Sequence, residues 1–596
     1  MQSNDVVPAW AGAIAGVVAG AVALGVAQLA AGAVRAEASP VVAVGGAVVD
    51  LTPAPLKEFA ISTFGENDKT VLIGGTLVVL AALAAAVGVL SLRRTAYGYA
   101  GLAALGAIGL AAVLTRPGAS ALDVVPTVVG IAAGAWTLRW LVRRASGGAR
   151  PGEVATAAGA ASPDSPAGDH PTADRSAADR PMADHPTADQ SAADQPTADR
   201  PTAEGPITDR PTADRQIAER PTADQPISGR PAVMRAGGGP HAFDRRSLLT
   251  GAAGGAAVAG VSLVLGRMLE GRQAVDAART GLALPRPATP AAPLPAGVDL
   301  GINGLTPFIT NNRDFYRVDT ALVVPQVDPR AWRLRIHGMV DRPVEITYAE
   351  LLRMPLTEAD VTLTCVSNEV GGPYAGNARW LGVRMADVLR GAGLRSGADM
   401  LLSTSDDGFT CGTPVDVVMD GRDALFAVAM NGEVLPVDHG FPVRQVVPGL
   451  YGYVSATKWV VDVKVTRFDR DEAYWTPRGW AAKGPIKTQS RIDLPKPGAS
   501  LAAGRVTIAG VAWAQHTGID AVEVRVDRGA WRQARLARVP GPDTWRQWAL
   551  DWDATPGGHT IEVRATDAAG RTQTEERTPT APDGATGWHT VTVEVA

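Results

Sequence analysis

The chain has 596 residues, of which 46% are hydrophobic, with a formal net charge of −4 and two cysteines. That length exceeds what a single core supports, so several domains are expected. A charge so near balance excludes a chain built to bind a polyanion, and no nucleic-acid partner is expected.

The first 142 residues are rich in Ala, Gly, Val and Leu and almost free of charge. No charge interrupts Asp5 to Arg35, Lys69 to Arg93, Arg94 to Arg116, or Arg246 to Arg267. Each interval is long enough to cross roughly 30 Å of hydrocarbon as a helix. The run from Asp123 to Arg139 is shorter, and reaches Val142 if Arg139 snorkels or faces a neighbouring helix. The spacing predicts four transmembrane helices over 1–144 and a fifth, alone, over 245–267. The competing reading, buried core helices, requires a series of uniformly apolar helices that soluble proteins rarely contain.

Arg93 and Arg94 join spans two and three, Arg139, Arg143 and Arg144 follow span four, and Arg245 and Arg246 precede span five. All lie on one side if the N-terminus is cytoplasmic, which puts everything after about residue 267 outside. The expected localisation is the cytoplasmic membrane, multi-pass, with the spans in contact with lipid and the part after about residue 267 on the extracytoplasmic side. DRRSLL at 244–249 also resembles a twin-arginine export signal, a route for domains folded around a cofactor; an ordinary positive flank reads the same way. Between spans four and five, residues 145–244 repeat PTAD-x from Pro171, Pro186, Pro196, Pro211 and Pro221. Proline, small residues and regular charge cannot build a core, so a disordered linker is expected.

From 300 to 497, strand-like runs (WRLRIHG, ADVTLTC, TKWVVDVKVTRF) mix with short helical ones (TYAELLRM, RMADVLRGAG), which predicts an α+β domain. Thr347 and Glu350 form a candidate capping box. From 498 to 596, RVTIAGVAW, AVEVRVDRGAW and HTIEVRATDAAGRTQ alternate apolar with polar residues between turns. That predicts an all-β immunoglobulin-like sandwich, packing on the first domain or forming a homodimer contact.

Cys365, in VTLTCVSNEVGG, has three readings: a disulfide with Cys411, a small apolar filler, or a metal ligand. Spacing alone favours the filler, because no CxxC or zinc-type His cluster accompanies it. DHGFPVRQVVPGLYGYVSATKW, 438–459, adds His439, Arg444 and Lys458 among glycines and prolines. Such a strip suits an anionic ligand, with arginine forking onto phosphate and glycine admitting backbone. It contains no P-loop. A soft thiolate beside a phosphate-gripping strip points to a metal held through a phosphate-bearing organic cofactor.

On TCVSNE, MNGEVLPVDHGFPVR (430–444) and PGLYGYVSATKW (448–459), residues 300–596 resemble the sulfite oxidase family of molybdopterin oxidoreductases. The resemblance implies a molybdenum–molybdopterin cofactor, with Cys365 as the metal's thiolate ligand. It implies cofactor contacts at Tyr316, Arg317, Asp406, His439, Arg444, Ala456, Thr457 and Lys458, and oxygen-atom transfer on a small sulfur or nitrogen compound. The positions that recognise an oxyanion in sulfite-oxidising members differ here. An arginine position aligns with Val318, beside Arg317; a tyrosine position falls at Trp480; a second arginine position lies in AWAQHTGID, which holds His516. Cys365, Trp480 and Arg317 are therefore the expected reaction-site residues, and sulfite is a doubtful substrate. No cytochrome b5-like segment is present and residues 2–142 hold no His, Cys or Met, so no haem is expected in this chain and electrons are expected to pass to a separate protein or quinone. The alternative is a non-catalytic assembly or adhesion module of molybdopterin fold.

Overall fold

The computed structural model describes residues 7–35, 38–53, 68–116, 119–145, 244–273 and 275–596, with residues 56 and 63 isolated. The PTAD-x repeats lie outside the described residues.

Among the described residues, five helices are long and apolar enough to cross a membrane. They are α1 (Ala9–Val34), α3 (Asp68–Arg93), α4 (Thr95–Leu114), α5 (Val124–Ala145) and α6 (Arg245–Gln273); a shorter apolar helix, α2 (Pro40–Leu51), follows α1. The four N-terminal spans match the charge-free intervals, but α6 is not alone. It packs along α1, where small residues let the backbones approach. A methyl group on Gly25 would stand 2.7 Å from the carbonyl oxygen of Ala259, and one on Gly32 2.8 Å from that of Gly266. Arg35, just past α1, pairs twice with Asp123, just before α5, at 3.1 Å and 2.8 Å. Asp244 accepts from the Ser247 amide at 2.9 Å, so the two arginines of DRRSLL open α6.

The next domain is α+β. Its first sheet orders β2 (Val344–Thr347), β1 (Arg333–Gly338), β10 (Val460–Thr466), β5 (Met400–Ser405) and β6 (Thr410–Pro414). The second orders β3 (Leu356–Thr364), β4 (Ala375–Arg384), β7 (Leu425–Met430) and β8 (Glu433–Val434), with β9 (Arg444–Val446) also paired to β7. Trp332, just before β1, Leu334 and Ile336 of β1 and Val463 and Val465 of β10 share a core with Val383, Phe426 and Val428 of the second sheet. The capping box forms: the Glu350 amide donates to Thr347 Oγ1 at 3.1 Å and Glu350 Oε2 accepts from the Thr347 amide at 2.8 Å. Chain before residue 300 joins this domain, since Thr289 donates to the Leu356 carbonyl at 3.1 Å.

The last domain has two sheets. One orders β11 (Gln489–Leu494), β13 (Gly504–Trp513), β17 (Arg546–Ala554) and β16 (Arg535–Leu536). The other orders β12 (Ser500–Leu501), β19 (His589–Val595), β18 (Gly557–Asp567), β14 (Ile519–Val526) and β15 (Arg532–Gln533). Ile492, Ile508, Trp548, Val524, Val563 and Val593 bury together between them, which makes a sandwich. The period-2 pattern explains both faces of β18. Ile561, Val563 and Ala565 point inward, while Glu562 and Arg564 pair with Arg525 at 2.7 Å and Glu523 at 2.8 Å. By pairing, β11 belongs to this sandwich, so its hydrogen-bonded frame starts ahead of residue 498.

Candidate active site

Cys365 immediately follows β3, the edge strand of the second sheet. It is buried and unpaired, as is Cys411 on β6, so the disulfide reading does not hold in this structure. Burial pushes the Cys365 thiol up, against the pull of Ser367 hydrogen bonds and the Lys458 charge. Burial also pushes Cys411 up, to about 11, and its Sγ lies 3.8 Å from the Gly452 carbonyl oxygen.

Around Cys365 the structure gathers Tyr316, Arg444, Lys458 and His439, which act on one another electrostatically. Tyr316 feels both Cys365 and Arg444, and burial drives its phenol strongly upward. Arg444 opens β9, is only 4% exposed, and lies 5.0 Å from the Trp380 ring centroid. Burial lowers it to about 10. Lys458 donates to Asp319 Oδ2 at 3.0 Å and to the Asp438 carbonyl at 2.9 Å. Burial lowers it to about 8, opposed by Asp319. The turn that presents it is strained: Trp459 holds φ at +48° and is pinned through Nε1 to the Val437 carbonyl at 2.9 Å. Gly440, at φ +109°, lets His439, Arg444 and Lys458 converge, because a methyl group there would meet Arg444 Cβ at 2.9 Å and Lys458 Cβ at 3.1 Å.

His439 is held near pKa 4 by burial and by the Lys458 and Arg444 charges, so it is neutral at pH 7. Its Nε2 stands 2.9 Å from the Asn312 carbonyl oxygen, which can only accept. The proton is therefore on Nε2, and Nδ1 is a bare acceptor. Nδ1 is buried with no hydrogen-bond partner, and so is the Nδ2 donor of Asn368, three residues past the thiol. Orphaned buried polar atoms are costly, and a ligand with donors and acceptors satisfies them.

The other predicted positions lie at varied distances from this centre. Thr457 is fully buried beside Cys411. Ala456 turns the chain by donating to the Gly452 carbonyl at 2.9 Å. Asp406 is exposed and touches the strip through its amide, which donates to the Trp459 carbonyl at 2.9 Å. Arg317 has its side chain 40% exposed and paired with Asp319 at 3.2 Å. Trp480 sits in an aromatic cluster, 5.9 Å from the Tyr453 ring and 6.1 Å from that of Trp475. Val318 is 45% exposed, and His516 is engaged by Asp543 at 3.1 Å. Sequence reading missed Asn312, Asp319 and Asn368. Asp319, two residues past Arg317, and Asn368, three past Cys365, lie beside residues the sequence singles out.

A family model described as an oxidoreductase molybdopterin binding domain matches residues 321–475. Sulfite oxidase of Gallus gallus is 30% identical over 323 residues, covering 46% of this chain and 69% of that one. The chain belongs to the sulfite oxidase family of molybdopterin oxidoreductases. Mitochondrial sulfite oxidase of Mus musculus is 32% identical, over 41% of this chain and 53% of its own. This family member thus spans from about half to just over two thirds of the sulfite oxidases it matches. Among solved structures, the sulfane dehydrogenase SoxCD from Paracoccus pantotrophus aligns at 25% identity, covering 48% of this chain and 81% of that one, with a TM-score of 0.42.

A sulfite oxidase family enzyme carries a molybdenum cofactor, and the residues here fit one. Cys365 offers a soft thiolate once a metal cation replaces its proton. Arg444 and Lys458 would offer buried positive charge to a phosphate, and His439 Nδ1 would offer an acceptor to an N–H donor of the cofactor. When bound, such a cofactor would supply two-electron redox chemistry at its metal, and the residues above would hold and tune it.

The Lys458 pKa sets a testable pH dependence. Its folded pKa lies below the ordinary lysine value, so the cation is lost as pH rises through about 8. A bound phosphate shifts that loss upward. Cofactor release from purified enzyme, followed by pterin fluorescence, should therefore accelerate above about pH 8. Lys458→Arg, which does not titrate there, should flatten the profile. A wild-type release rate constant between pH 7 and the ordinary lysine pKa of about 10.4 would contradict this role.

Proposed function

We propose that this protein is a membrane-anchored, extracytoplasmic molybdenum enzyme that transfers an oxygen atom to or from a small neutral sulfur or nitrogen compound. The observation that carries the reading is the convergence of one buried thiol, Cys365, with Tyr316, Arg444, Lys458 and the unpartnered Nδ1 of His439. Cys365 holds the metal; Tyr316, Arg317, Asp406, His439, Arg444, Ala456, Thr457 and Lys458 hold the pterin and its phosphate; Trp480 and Arg317 border the substrate. Retention of both the thiol and the basic strip opposes a non-catalytic assembly role. A screen of sulfur and nitrogen oxides with a dye donor, and of their reduced partners with a dye acceptor, tests the activity and its direction.

The absence of a fixed cation at Val318 and Trp480, and the engagement of His516 by Asp543, support a neutral substrate. Residues 2–142 hold no His, Cys or Met besides, so the helices anchor the enzyme and electrons pass to a separate protein or quinone. The final sandwich is read as immunoglobulin-like, with the homodimer contact as one role.

The arginines at 93–94, 143–144 and 245–246 support a topology with residues 145–244 in the cytoplasm and the domains after α6 outside. A cysteine introduced at Ala502 should react with a membrane-impermeant thiol reagent in intact cells, and one at Ala183 only after lysis. The native thiols are buried and leave the background low. Labelling at Ala183 from outside would reverse the topology.

A further inference from the structure

The strand that delivers Cys365 has β4 on one side only. Its other edge is bridged by Thr289 near its start and is taken by the sandwich toward the thiol. The Thr362 amide donates to the Asp543 carbonyl at 2.9 Å, and Thr362 Oγ1 accepts from the Trp545 amide at 2.8 Å. Gln515, 4% exposed, donates through Nε2 to the Thr362 carbonyl and to Thr364 Oγ1, both at 3.0 Å. The residue immediately before the thiol is thus held by a side chain that follows β13.

Past the thiol the chain closes a loop. The Cys365 amide donates to the Tyr374 carbonyl at 3.0 Å, the Asn368 amide to the Cys365 carbonyl at 3.1 Å, and the Tyr374 amide to Asn368 Oδ1 at 2.7 Å. The sandwich grips the outer side of this loop as well. Arg491 on β11, 9% exposed, donates to the Gly372 carbonyl at 3.0 Å. Its other nitrogens are fixed on Asp493 at 2.7 Å and Thr306 at 3.0 Å. The His589 ring, oriented by the Ile492 amide at 2.9 Å, lies directly on Gly371, where φ is +83° and no side chain fits.

We propose that the sandwich is the positioning element of the Cys365 loop, with Gln515 and Arg491 as positioning residues that fix where the sulfur stands. The proposal rests on the reading of Cys365 as the metal's ligand. A loop of small residues held at its ends alone would sample several thiol positions, and displacement of a reacting centre by about 1 Å costs on the order of 100-fold in rate. The grip on both sides of the thiol gives the sandwich a role in the site itself, beyond covering the domain or forming a dimer contact.

The test uses the full-length, cofactor-loaded enzyme in detergent. Arg491→Lys keeps a charge facing Asp493 and shortens the reach to Gly372; Gln515→Met keeps the volume and removes both hydrogen bonds. Arg525→Lys, among Glu562, Trp531 and Trp588, is the sandwich control. Amide hydrogen exchange at 365–374 should rise about tenfold in the two variants, the scale of one lost hydrogen bond. Exchange in β13 and β17 should match wild type. The metal–thiolate absorption band should shift with molybdenum content unchanged, and kcat should fall with KM little altered. Unchanged exchange at 365–374 overturns the proposal, as does an equal rise throughout the sandwich. The ligand reading is checked separately: if Cys365→Ser leaves the molybdenum content and that band intact, that reading fails, while the exchange data still decide whether the loop is gripped.

Discussion

Cys365→Ser should abolish turnover, and Cys411→Ser should retain most of it. Both thiols are buried, but only Cys365 stands among Tyr316, Lys458 and the loop closed by Asn368. Changes to groups that merely orient a metal ligand cost roughly 10–100-fold. Replacing the ligand by a hard hydroxyl that keeps its proton costs more. Cys411 faces the Gly452 carbonyl with its thiol held protonated, near a pKa of 11. A serine there keeps a donor for the same carbonyl and loses little volume. Steady-state assays on the three proteins, normalised to folded enzyme, read the contrast. Equal losses in both variants, or a Cys365–Cys411 disulfide in active enzyme, would contradict the assignment.

Sulfite should be a poor substrate, with kcat/KM below about 10⁴ M⁻¹s⁻¹, the lower edge of the usual enzyme range. An oxyanion buried without fixed positive charge is penalised by several kcal/mol. Val318 supplies no charge, Trp480 adds apolar area beside Tyr453 and Trp475, and His516 is engaged by Asp543. The remaining cation, Arg317, is 40% exposed and already paired with Asp319. A neutral sulfur or nitrogen oxide, or its reduced partner, avoids the desolvation penalty and should turn over faster. Trp480→Tyr, which restores a hydroxyl, should improve sulfite relative to the neutral compound; no change in that ratio would remove Trp480 from the substrate pocket.

What the sequence disclosed follows the range of each interaction. The apolar spans, the capping box at Thr347 and the alternation of β18 are encoded within a few residues, and they appear where pattern placed them. The basic strip was legible because His439, Arg444 and Lys458 are close together in the chain. Their partners were not, because Asn312 reaches His439 across 127 residues and Asp319 reaches Lys458 across 139. No period or spacing carries such a pairing. The same reason hid the packing of α6 on α1, which depends on small residues meeting from segments more than 200 positions apart, and the membership of β11 in the sandwich. Arg491 and Gln515 read as ordinary sandwich residues until the fold sets them against the Cys365 loop.

The most direct test of the account is the metal and pterin content of the full-length protein, purified from a host that makes the cofactor. The account predicts stoichiometric molybdenum with molybdopterin in the wild type, and loss of the metal–thiolate absorption in Cys365→Ser. Folded wild-type protein from such a host that carries neither molybdenum nor pterin would contradict it.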